Sequence, residues 1–324
     1  MRVLGWILLI PGALGALVLV LLQLFPATHA WHAAVIVAAT FIPFLWLPTT
    51  VALLGLVLVA RGWWRLLAVL GLVAALVFWG RGFLPEPERD GTPVTLGLSV
   101  FMLNTQYGRA DVAQVAAVVD EHDPHVLVFL EYTSGFDAAL REAGLLDDFP
   151  HQVGTIREDA GGTMILGKAP LTEVERLETT PFDNIVVTAT TQTAVGEVEW
   201  TLAGIHTAPP QMGADLWAAD GVAVRDLAGR HLTDRLVMVG DFNAIDQHHT
   251  MRLLINAGMI NPRSKAEGFD GWRPTWPVGK SVPPFAHIDH FLHSPGVAGW
   301  APTAVEIDGS DHMGLVVPVP APRS

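Results

Sequence analysis

The chain has 324 residues, 51% of them hydrophobic, and a formal net charge of −13 at pH 7. It contains no cysteine, which excludes disulfides, thiolate metal sites and a cysteine nucleophile. Only five of the 19 Lys and Arg and three of the 32 Asp and Glu lie in residues 1–90, so residues 91–324 carry a formal charge of about −15. Such acidity argues against a protein that grips long duplex DNA, because that binding depends on Lys and Arg.

The first 81 residues are apolar enough to form membrane-spanning helices. A helix needs about 20 apolar residues to cross the hydrocarbon core of a bilayer. We predict about three spans, over residues 3–25, 35–60 and 66–80, the second of them kinked at Pro43 and Pro48. The first run is too long for the apolar part of a cleaved signal peptide, and a second follows at once. We therefore expect a multi-pass protein of the cell membrane.

The positive charges predict the orientation of these spans. Arg2 precedes the first span and Arg61 and Arg65 follow the second, whereas residues 26–30 contain no Lys or Arg. Because cytoplasmic loops are enriched in Lys and Arg, the N-terminus and the arginine loop are expected in the cytoplasm. Three spans then place the rest of the chain outside the cytoplasm. If residues 31–60 formed a helical hairpin instead, the rest would lie inside.

The remainder is predicted to be one folded domain, residues 94–324, joined through residues 82–93. That linker is rich in Pro, Gly and charge, which is typical of a short, stiff tether. Apolar runs of strand length alternate with segments of helical spacing along the domain. The predicted strands are 94–103, 125–130, 162–167, 184–192, 197–205, 236–239, 285–292 and 314–319, and the predicted helices are 112–121 and 213–232. This order indicates a layered α/β domain.

Polar side chains follow the ends of several predicted strands. Ligands of layered α/β folds bind beyond the strand ends, so we expect these side chains to form one site. They are Asn104, Glu131 and His206, with Asp241 and Asn243 in GDFN. Asp289 in HIDH and Asp311 and His312 in SDH follow farther along the chain. Surface or loop positions are expected for His122, His125, His151, His231, His248, His249 and His293, and no role is assigned to His287 and His290.

The succession of GDFN, IDH and SDH resembles the endonuclease/exonuclease/phosphatase superfamily, across nearly all of residues 95–318. The resemblance implies a four-layer α/β sandwich, in which two packed mixed β-sheets are flanked by helices, here preceded by transmembrane helices. It also implies a metal-dependent phosphatase or phosphodiesterase. The shared site fixes the type of reaction but not the substrate.

The same resemblance assigns roles to the strand-end residues. It implies Mg²⁺ as the cofactor, with Mn²⁺ as an alternative, since hard cations prefer oxygen ligands and neutralise an anionic phosphate. Glu131 would be the principal metal ligand, assisted by Asn104 and Asp311. Asp241 would orient or deprotonate the attacking water, and Asn243 would donate to a phosphoryl oxygen.

Three further residues complete the implied catalytic set. Asp289 would hydrogen-bond His312 and fix its tautomer, so that His312 could stabilise or protonate oxygens of the phosphoryl group. His206 falls where the family has a His or Tyr that contacts phosphate. The sequence leaves open whether Asp241 or His312 is the general base.

Two segments point to a branch of the superfamily. NTQYGRAD, residues 104–111, together with the N-terminal spans resembles the VanJ-type membrane phosphatases of actinobacteria, which are linked to teicoplanin resistance. This implies a lipid-linked substrate, undecaprenyl pyrophosphate, at the outer face of the cytoplasmic membrane. Arg109 could contact the second phosphate or be an exposed loop residue. Trp276, in a loop with Trp272 and Arg273, could face lipid or substrate or simply pack beneath the Pro-rich loop.

Two other functions stay open on the sequence. A membrane-anchored nuclease would share the same site, although no basic patch interleaved with aromatic residues is visible. A binding module that has lost activity is disfavoured by the intact set of polar residues.

Overall fold

A computed structural model describes residues 1–80, 96–193, 196–232, 235–262, 274–297 and 302–321. The predicted linker, residues 82–93, lies outside the described residues. The helices are α1 (Arg2–Leu24), α2 (Ala33–Ala39), α3 (Trp46–Val59), α4 (Trp63–Gly80), α5 (Val112–His122), α6 (Ser134–Glu142), α7 (Leu145–Asp148), α8 (Ala214–His231) and α9 (His249–Asn256).

The strands form two sheets. They are β1 (Leu96–Asn104), β2 (Val126–Leu130), β3 (His151–Gly154), β4 (Thr163–Gly167), β5 (Leu171–Arg176), β6 (Ile185–Thr193), β7 (Gly196–His206), β8 (Leu236–Asp241), β9 (Asp289–His293), β10 (Thr303–Val305) and β11 (Gly314–Pro320). The first sheet has the order β10-β11-β1-β2-β4-β3 and the second the order β5-β6-β7-β8-β9. Each is mixed, because β1 and β2 are parallel in the first sheet and β7 and β8 in the second.

Alternating side chains explain why the sheets are covered on both faces. In β1, Val100 and Met102 point into the core between the sheets, whereas Phe101 and Leu103 point to α5, α6 and α7. Successive side chains of a strand face opposite ways, so a continuous apolar run needs a layer on each side. The second sheet repeats this pattern, with α8 and α9 over its outer face. The predicted four-layer α/β sandwich is confirmed.

Three helices at the N-terminus are long and apolar enough to cross a membrane, over Arg2–Leu24, Ile42–Val59 and Trp63–Gly80. Their number agrees with the prediction, but the second does not form one kinked helix over residues 35–60. The chain there forms α2, then a 3₁₀ turn at Ile42–Phe44, and then α3. Pro43 lies in the first turn of the 3₁₀ segment and Pro48 in that of α3, where a missing N–H is tolerated.

Glycines bring α1 and α3 into close contact. A Cβ atom on Gly12 would lie 2.6 Å from the backbone nitrogen of Ala52, and one on Gly55 would lie 2.4 Å from that of Leu9. Only glycine permits so close an approach, which is a common way for membrane helices to pack.

The segment between α1 and α3 packs against the sandwich. Ile36 is fully buried in the core beneath α8 and α9. His248 accepts a hydrogen bond at Nδ1 from the Ile245 N–H, so its Nε2–H donates to the Ile36 carbonyl at 3.0 Å. The His249 N–H in turn donates to His29 Nδ1 at 3.3 Å. The first helical connection is thus built into the folded domain.

Candidate active site

The predicted site residues converge at one end of both sheets. His206, Asp241 and Asp289 lie side by side in register on β7, β8 and β9. Asn104, at the end of β1, reaches across from the other sheet, and its Nδ2 donates to Asp241 Oδ2 at 3.3 Å. Glu131 follows β2, the parallel neighbour of β1. The packing of the two sheets therefore assembles the site.

Glu131 is held in a conformation that favours glycine. Its φ is +55°, which is costly for a residue with a Cβ and persists where the surroundings impose it. The Thr105 hydroxyl bonds the Glu131 carbonyl at 2.8 Å, and the Tyr107 N–H donates to Oε2 at 2.8 Å. Burial raises the pKa of the Glu131 carboxyl, although the hydrogen bonds from the Tyr107 N–H and the Asn104 amide oppose the shift. A cation beside it would favour the ionised form.

Asn104 turns its amide nitrogen toward the carboxylates. Nδ2 lies 3.2 Å from Glu131 Oε1, while Oδ1 accepts the Gln106 N–H at 3.0 Å. In this orientation Asn104 orients Glu131 and Asp241 rather than offering an oxygen to a cation. Direct ligation by Asn104, as implied by the resemblance, needs the amide to turn over.

His312 lies between two carboxylates. Its Nδ1 is 3.0 Å from Asp289 Oδ2, and its Nε2 is 3.7 Å from Asp241 Oδ2. The Ser310 hydroxyl accepts the His312 N–H and donates to the Asn104 carbonyl, which ties the SDH loop to β1. Burial alone would lower the pKa of His312, but the two carboxylates outweigh it and raise that pKa well above its usual value. The pairing of Asp289 with His312 is present as predicted.

Asp241 is buried and lies close to four other residues of the site. Its Oδ1 accepts the Asn243 N–H at 2.8 Å, and Oδ2 faces Asn104, His206 and His312. Burial raises the pKa of the Asp241 carboxyl and His312 opposes the shift. Asn243 has a φ of +45°, and its side-chain amide donates to the Thr207 carbonyl at 2.8 Å. The backbone of the GDFN loop thus fixes the position of the Asp241 carboxylate.

His206 is buried, and its ring stacks on Phe182 with centroids 4.4 Å apart. Its Nε2 lies 3.8 Å from Asp241 Oδ2. Burial lowers the pKa of His206 to about 3, so the imidazole is neutral at pH 7. A neutral imidazole can exchange hydrogen bonds with a phosphoryl oxygen without adding charge.

The donor chemistry of the site suits a divalent cation. Four carboxylates, of Glu131, Asp241, Asp289 and Asp311, gather around one imidazole, and Lys280 approaches Asp311 at 3.9 Å. Among the described residues this leaves an excess of negative charge in a buried place. Oxygen-rich sites of this kind are what Mg²⁺ and Mn²⁺ prefer. Ligand atoms of Asp241, Asp289 and His312 also lie within 4.8 Å of one another.

The two predicted substrate contacts differ in position. Trp276 lines the cavity in front of the catalytic residues. Arg109 is exposed, and its guanidinium lies over the Tyr107 ring, 5.8 Å from the centroid. Trp272 and Arg273 lie outside the described residues.

Sequence reasoning missed residues that line the same cavity. Its volume is about 530 Å³, and its walls include Val37, Phe41, Tyr107, Phe182 and His248. His248 lies in the loop before α9, as the expectation of a surface or loop position allows, but it is only 1% exposed. His293 is buried within β9, so the expectation was wrong for His293. Residues 37–41 come close to the catalytic set only in the folded chain, and no local sequence pattern indicates that they do.

His287 and His290 belong to a second group beside the site, with Asp246. Their ligand atoms lie within 4.8 Å of one another, close enough to share a metal ion. His290 Nε2 bonds the Ala244 carbonyl at 2.7 Å, and its Nδ1 lies 3.5 Å from Asp246 Oδ1. This group is distinct from the catalytic set, because Asp289 between the two histidines faces His312.

Comparison with known proteins identifies the fold and the family. The sequence model of the Endonuclease/Exonuclease/phosphatase family matches residues 103–312, which span the described catalytic set from Asn104 to His312. The chain belongs to this family. Members are hydrolases, phosphatases and nucleases among them, and typically use a divalent metal. Among curated proteins, none matches the sequence significantly.

Solved structures of the endonuclease/exonuclease/phosphatase fold resemble the chain at low identity. One from Beutenbergia cavernae DSM 12333 has a TM-score of 0.52 and 17% identity, covering 70% of this chain and 72% of that one. A mannosyl-6-phosphatase from Bacteroides thetaiotaomicron VPI-5482 has 0.52 and 16%, covering 68% and 99%. A 3′-5′ exonuclease from Neisseria meningitidis has 0.51 and 17%, covering 69% and 100%. Identities this low show a shared fold and leave the substrate open.

Proposed function

We propose that the protein is a Mg²⁺-dependent phosphatase, with Mn²⁺ as an alternative metal, that hydrolyses a lipid-linked pyrophosphate at the membrane. The substrate proposed is undecaprenyl pyrophosphate at the outer face of the cytoplasmic membrane, which is what the sequence resemblance to the VanJ-type phosphatases implies. The observation that carries the proposal is the position of the catalytic cavity. One of its walls is the connection between two helices that are long enough to span a bilayer.

The charge of the cavity supports a lipid over a nucleic acid. None of the described residues that line it is Lys or Arg, and Lys280, which approaches the lining residue Asp311, is not itself part of the lining. A nuclease holds its polyanion through such side chains, whereas a single pyrophosphate group can be neutralised by a bound cation. Structural neighbours include both phosphatases and exonucleases, so this choice rests on the cavity and not on the fold.

The residues can be given roles in hydrolysis. A cation held by Glu131 and Asp311 would neutralise phosphoryl oxygens and position them for attack. Both ring nitrogens of His312 face carboxylates, which favours the protonated imidazolium and makes it a hydrogen-bond donor to a phosphoryl oxygen. Asp241 then takes the proton of the attacking water, the new P–O bond forms, and the bond to the leaving lipid phosphate breaks. Asn243 and neutral His206 orient the phosphoryl group.

Phosphate release by the full-length protein in lipid nanodiscs tests the substrate. Undecaprenyl pyrophosphate, phosphoinositides and DNA are compared at equal concentrations with Mg²⁺. The highest kcat/KM is expected for undecaprenyl pyrophosphate. A rate on DNA that equals or exceeds it contradicts the proposal and favours a membrane-anchored nuclease.

Calorimetric titration with Mg²⁺ and Mn²⁺ tests the metal site independently of the substrate. We expect wild-type protein to bind, and Glu131→Gln to bind at least about tenfold more weakly because the substitution removes a charged oxygen ligand. Glu121→Gln, an exposed position on α5, is the matched control. Equal affinity in wild type and Glu131→Gln would remove Glu131 from the metal site.

The absence of cysteine makes the orientation testable by labelling. A membrane-impermeant maleimide applied to intact cells is expected to label Asp120→Cys, on the exposed face of α5, but not Ala60→Cys, at the end of α3. The reverse pattern would place the catalytic domain in the cytoplasm.

A further inference from the structure

The cavity in front of the catalytic residues has a polar and an apolar half. Glu131, Asp241, Asp311 and His312 form the polar half, where a phosphate would be cleaved. Most of the other described lining residues are apolar, among them Val37, Phe41, Phe182, Trp276, Phe285 and Ile288, although Thr40, Gln106 and Gln211 line the cavity as well. Cavities of this kind bind an apolar group next to a few polar contacts that fix its orientation.

Aromatic side chains from distant parts of the chain form the centre of the apolar wall. The Phe41 and Phe285 rings are stacked, with centroids 5.7 Å apart and an interplanar angle of 8°. Trp276 contacts Phe285 edge to face, with the centroids 5.7 Å apart. Phe41 is nevertheless 43% exposed, so a large part of this aromatic surface stays open. We call Phe41, Phe285 and Trp276 the aromatic wall.

The aromatic wall is fixed relative to the catalytic residues. Ile36 is buried beneath α8 and α9, and its carbonyl accepts the Nε2–H of His248, which itself lines the cavity. Phe41 and Val37 therefore belong to the folded site and not to a loose connection. The same segment joins α1 to α3, so the cavity lies next to helices that are long and apolar enough to cross a bilayer.

We propose that the aromatic wall and Val37 bind the first part of the apolar chain of the phosphorylated substrate, while its phosphate lies against Glu131 and Asp311. The proposal rests on the proposed function and assigns it specificity-determining residues. Aromatic side chains also stack on nucleic-acid bases, so stacking alone does not identify the occupant. The lack of Lys and Arg among the described lining residues favours a lipid chain.

The ratio of two specificity constants tests the proposal. In nanodiscs, kcat/KM is measured for undecaprenyl pyrophosphate and for the five-carbon isopentenyl pyrophosphate, which has almost no chain to bind. We expect Phe41→Ala to lower the long-to-short ratio by at least about tenfold, the effect of losing one buried aromatic contact. Phe41→Leu, which keeps apolar bulk, is expected to recover most of the ratio. Trp31→Ala, an equally aromatic and 77% exposed position in the same connection, is expected to leave it unchanged.

The outcomes separate this proposal from the proposed function. If wild type hydrolyses undecaprenyl pyrophosphate but Phe41→Ala keeps the wild-type ratio, the chain-binding role is refuted and the function stands. An equal fall in both constants also refutes it, since it indicates general damage to the site, and thermal unfolding of the variant shows whether the fold is affected. If wild type hydrolyses neither lipid but cleaves single-stranded DNA, the proposed function fails. A fall in the DNA rate of Phe41→Ala would then assign the wall to bases.

Discussion

Asp220, on the inner face of α8, provides a sharp test of how burial controls the stability of this fold. Its side chain is 1% exposed, and Oδ2 accepts the Ala208 N–H at 2.8 Å, just beyond His206. Burial raises the pKa of this carboxyl to about 6, against 3.8 for an unperturbed aspartate, and the one hydrogen bond offsets burial only in part. The difference between these two pKa values corresponds to about 3 kcal/mol.

The direction in which stability changes with pH follows from which state, folded or unfolded, binds the Asp220 proton more tightly. The folded state keeps the Asp220 proton up to about pH 6 and the unfolded state loses it near pH 4, so this group destabilises the fold progressively as pH rises from about 4 to 6. Asp220→Asn can keep the bond to Ala208 through its amide oxygen but carries no titrating group. The variant is therefore expected to be more stable than wild type at pH 7, and to lose that advantage at pH 4.

Thermal unfolding, followed by tryptophan fluorescence between pH 4 and 7, measures the difference between variant and wild type. The difference in Tm is expected to grow by about 6–12 °C from pH 4 to pH 7, since about 1 kcal/mol shifts the Tm of a domain this size by about 2–4 °C. Asp226→Asn, exposed on the same helix, should show no such trend. A Tm difference for Asp220→Asn that does not depend on pH would refute the reasoning.

Three further predictions concern the site and its supports. Asp289→Asn removes the carboxylate that lies 3.0 Å from His312 Nδ1. The pKa of His312 in metal-free protein should therefore fall by about two or more, as measured by ¹⁵N NMR of histidine. An unchanged pKa would mean that Asp289 does not set the charge of His312. Gly309→Ala should destabilise the fold by about 2–4 kcal/mol in chemical denaturation. The reason is that φ at Gly309 is +84° and that the new Cβ would lie 2.0 Å from the Arg109 carbonyl oxygen. Gly135→Ala, where a Cβ would meet open space, serves as the control. His248→Ala leaves the buried Ile245 N–H without its acceptor and opens a cavity. We therefore expect the free energy of unfolding to fall by about 2–4 kcal/mol in the same assay. A fall no larger than that of His151→Ala, at a partly exposed position, would contradict the described packing.

Five candidate site residues could be placed from the sequence, because Asn104, Glu131, His206, Asp241 and Asn243 end or follow strands whose apolar runs are visible. Val126–Leu130 is continuous and buried on both faces, so Glu131 could be placed at its end before any fold was known. GDFN and SDH each place polar side chains in a short segment next to a strand, where such residues can also serve loop hydrogen bonds. Their meeting across two sheets followed from the resemblance to a family, and the family match confirms that resemblance.

Other features depend on contacts that no local pattern records. The short helix Ser134–Glu142 has only two fully buried apolar residues, Phe136 and Leu140, and was not predicted. His248 looks like a surface histidine in the sequence, and its bond to the Ile36 carbonyl joins residues 212 positions apart. The position of residues 37–41 beside the catalytic set was missed for the same reason.

The docking of Ile36 has a consequence for where this protein can be cut. A fragment that begins after the fourth helix would resemble a complete enzyme by its family match, which starts at residue 103. It would nevertheless lack one residue of its own core, the hydrogen-bond acceptor of His248, and the ring that covers Phe285. The connection between α1 and α3 is thus packed into the sandwich, and a fragment without it would expose apolar surface and a polar group that are buried in the full-length protein.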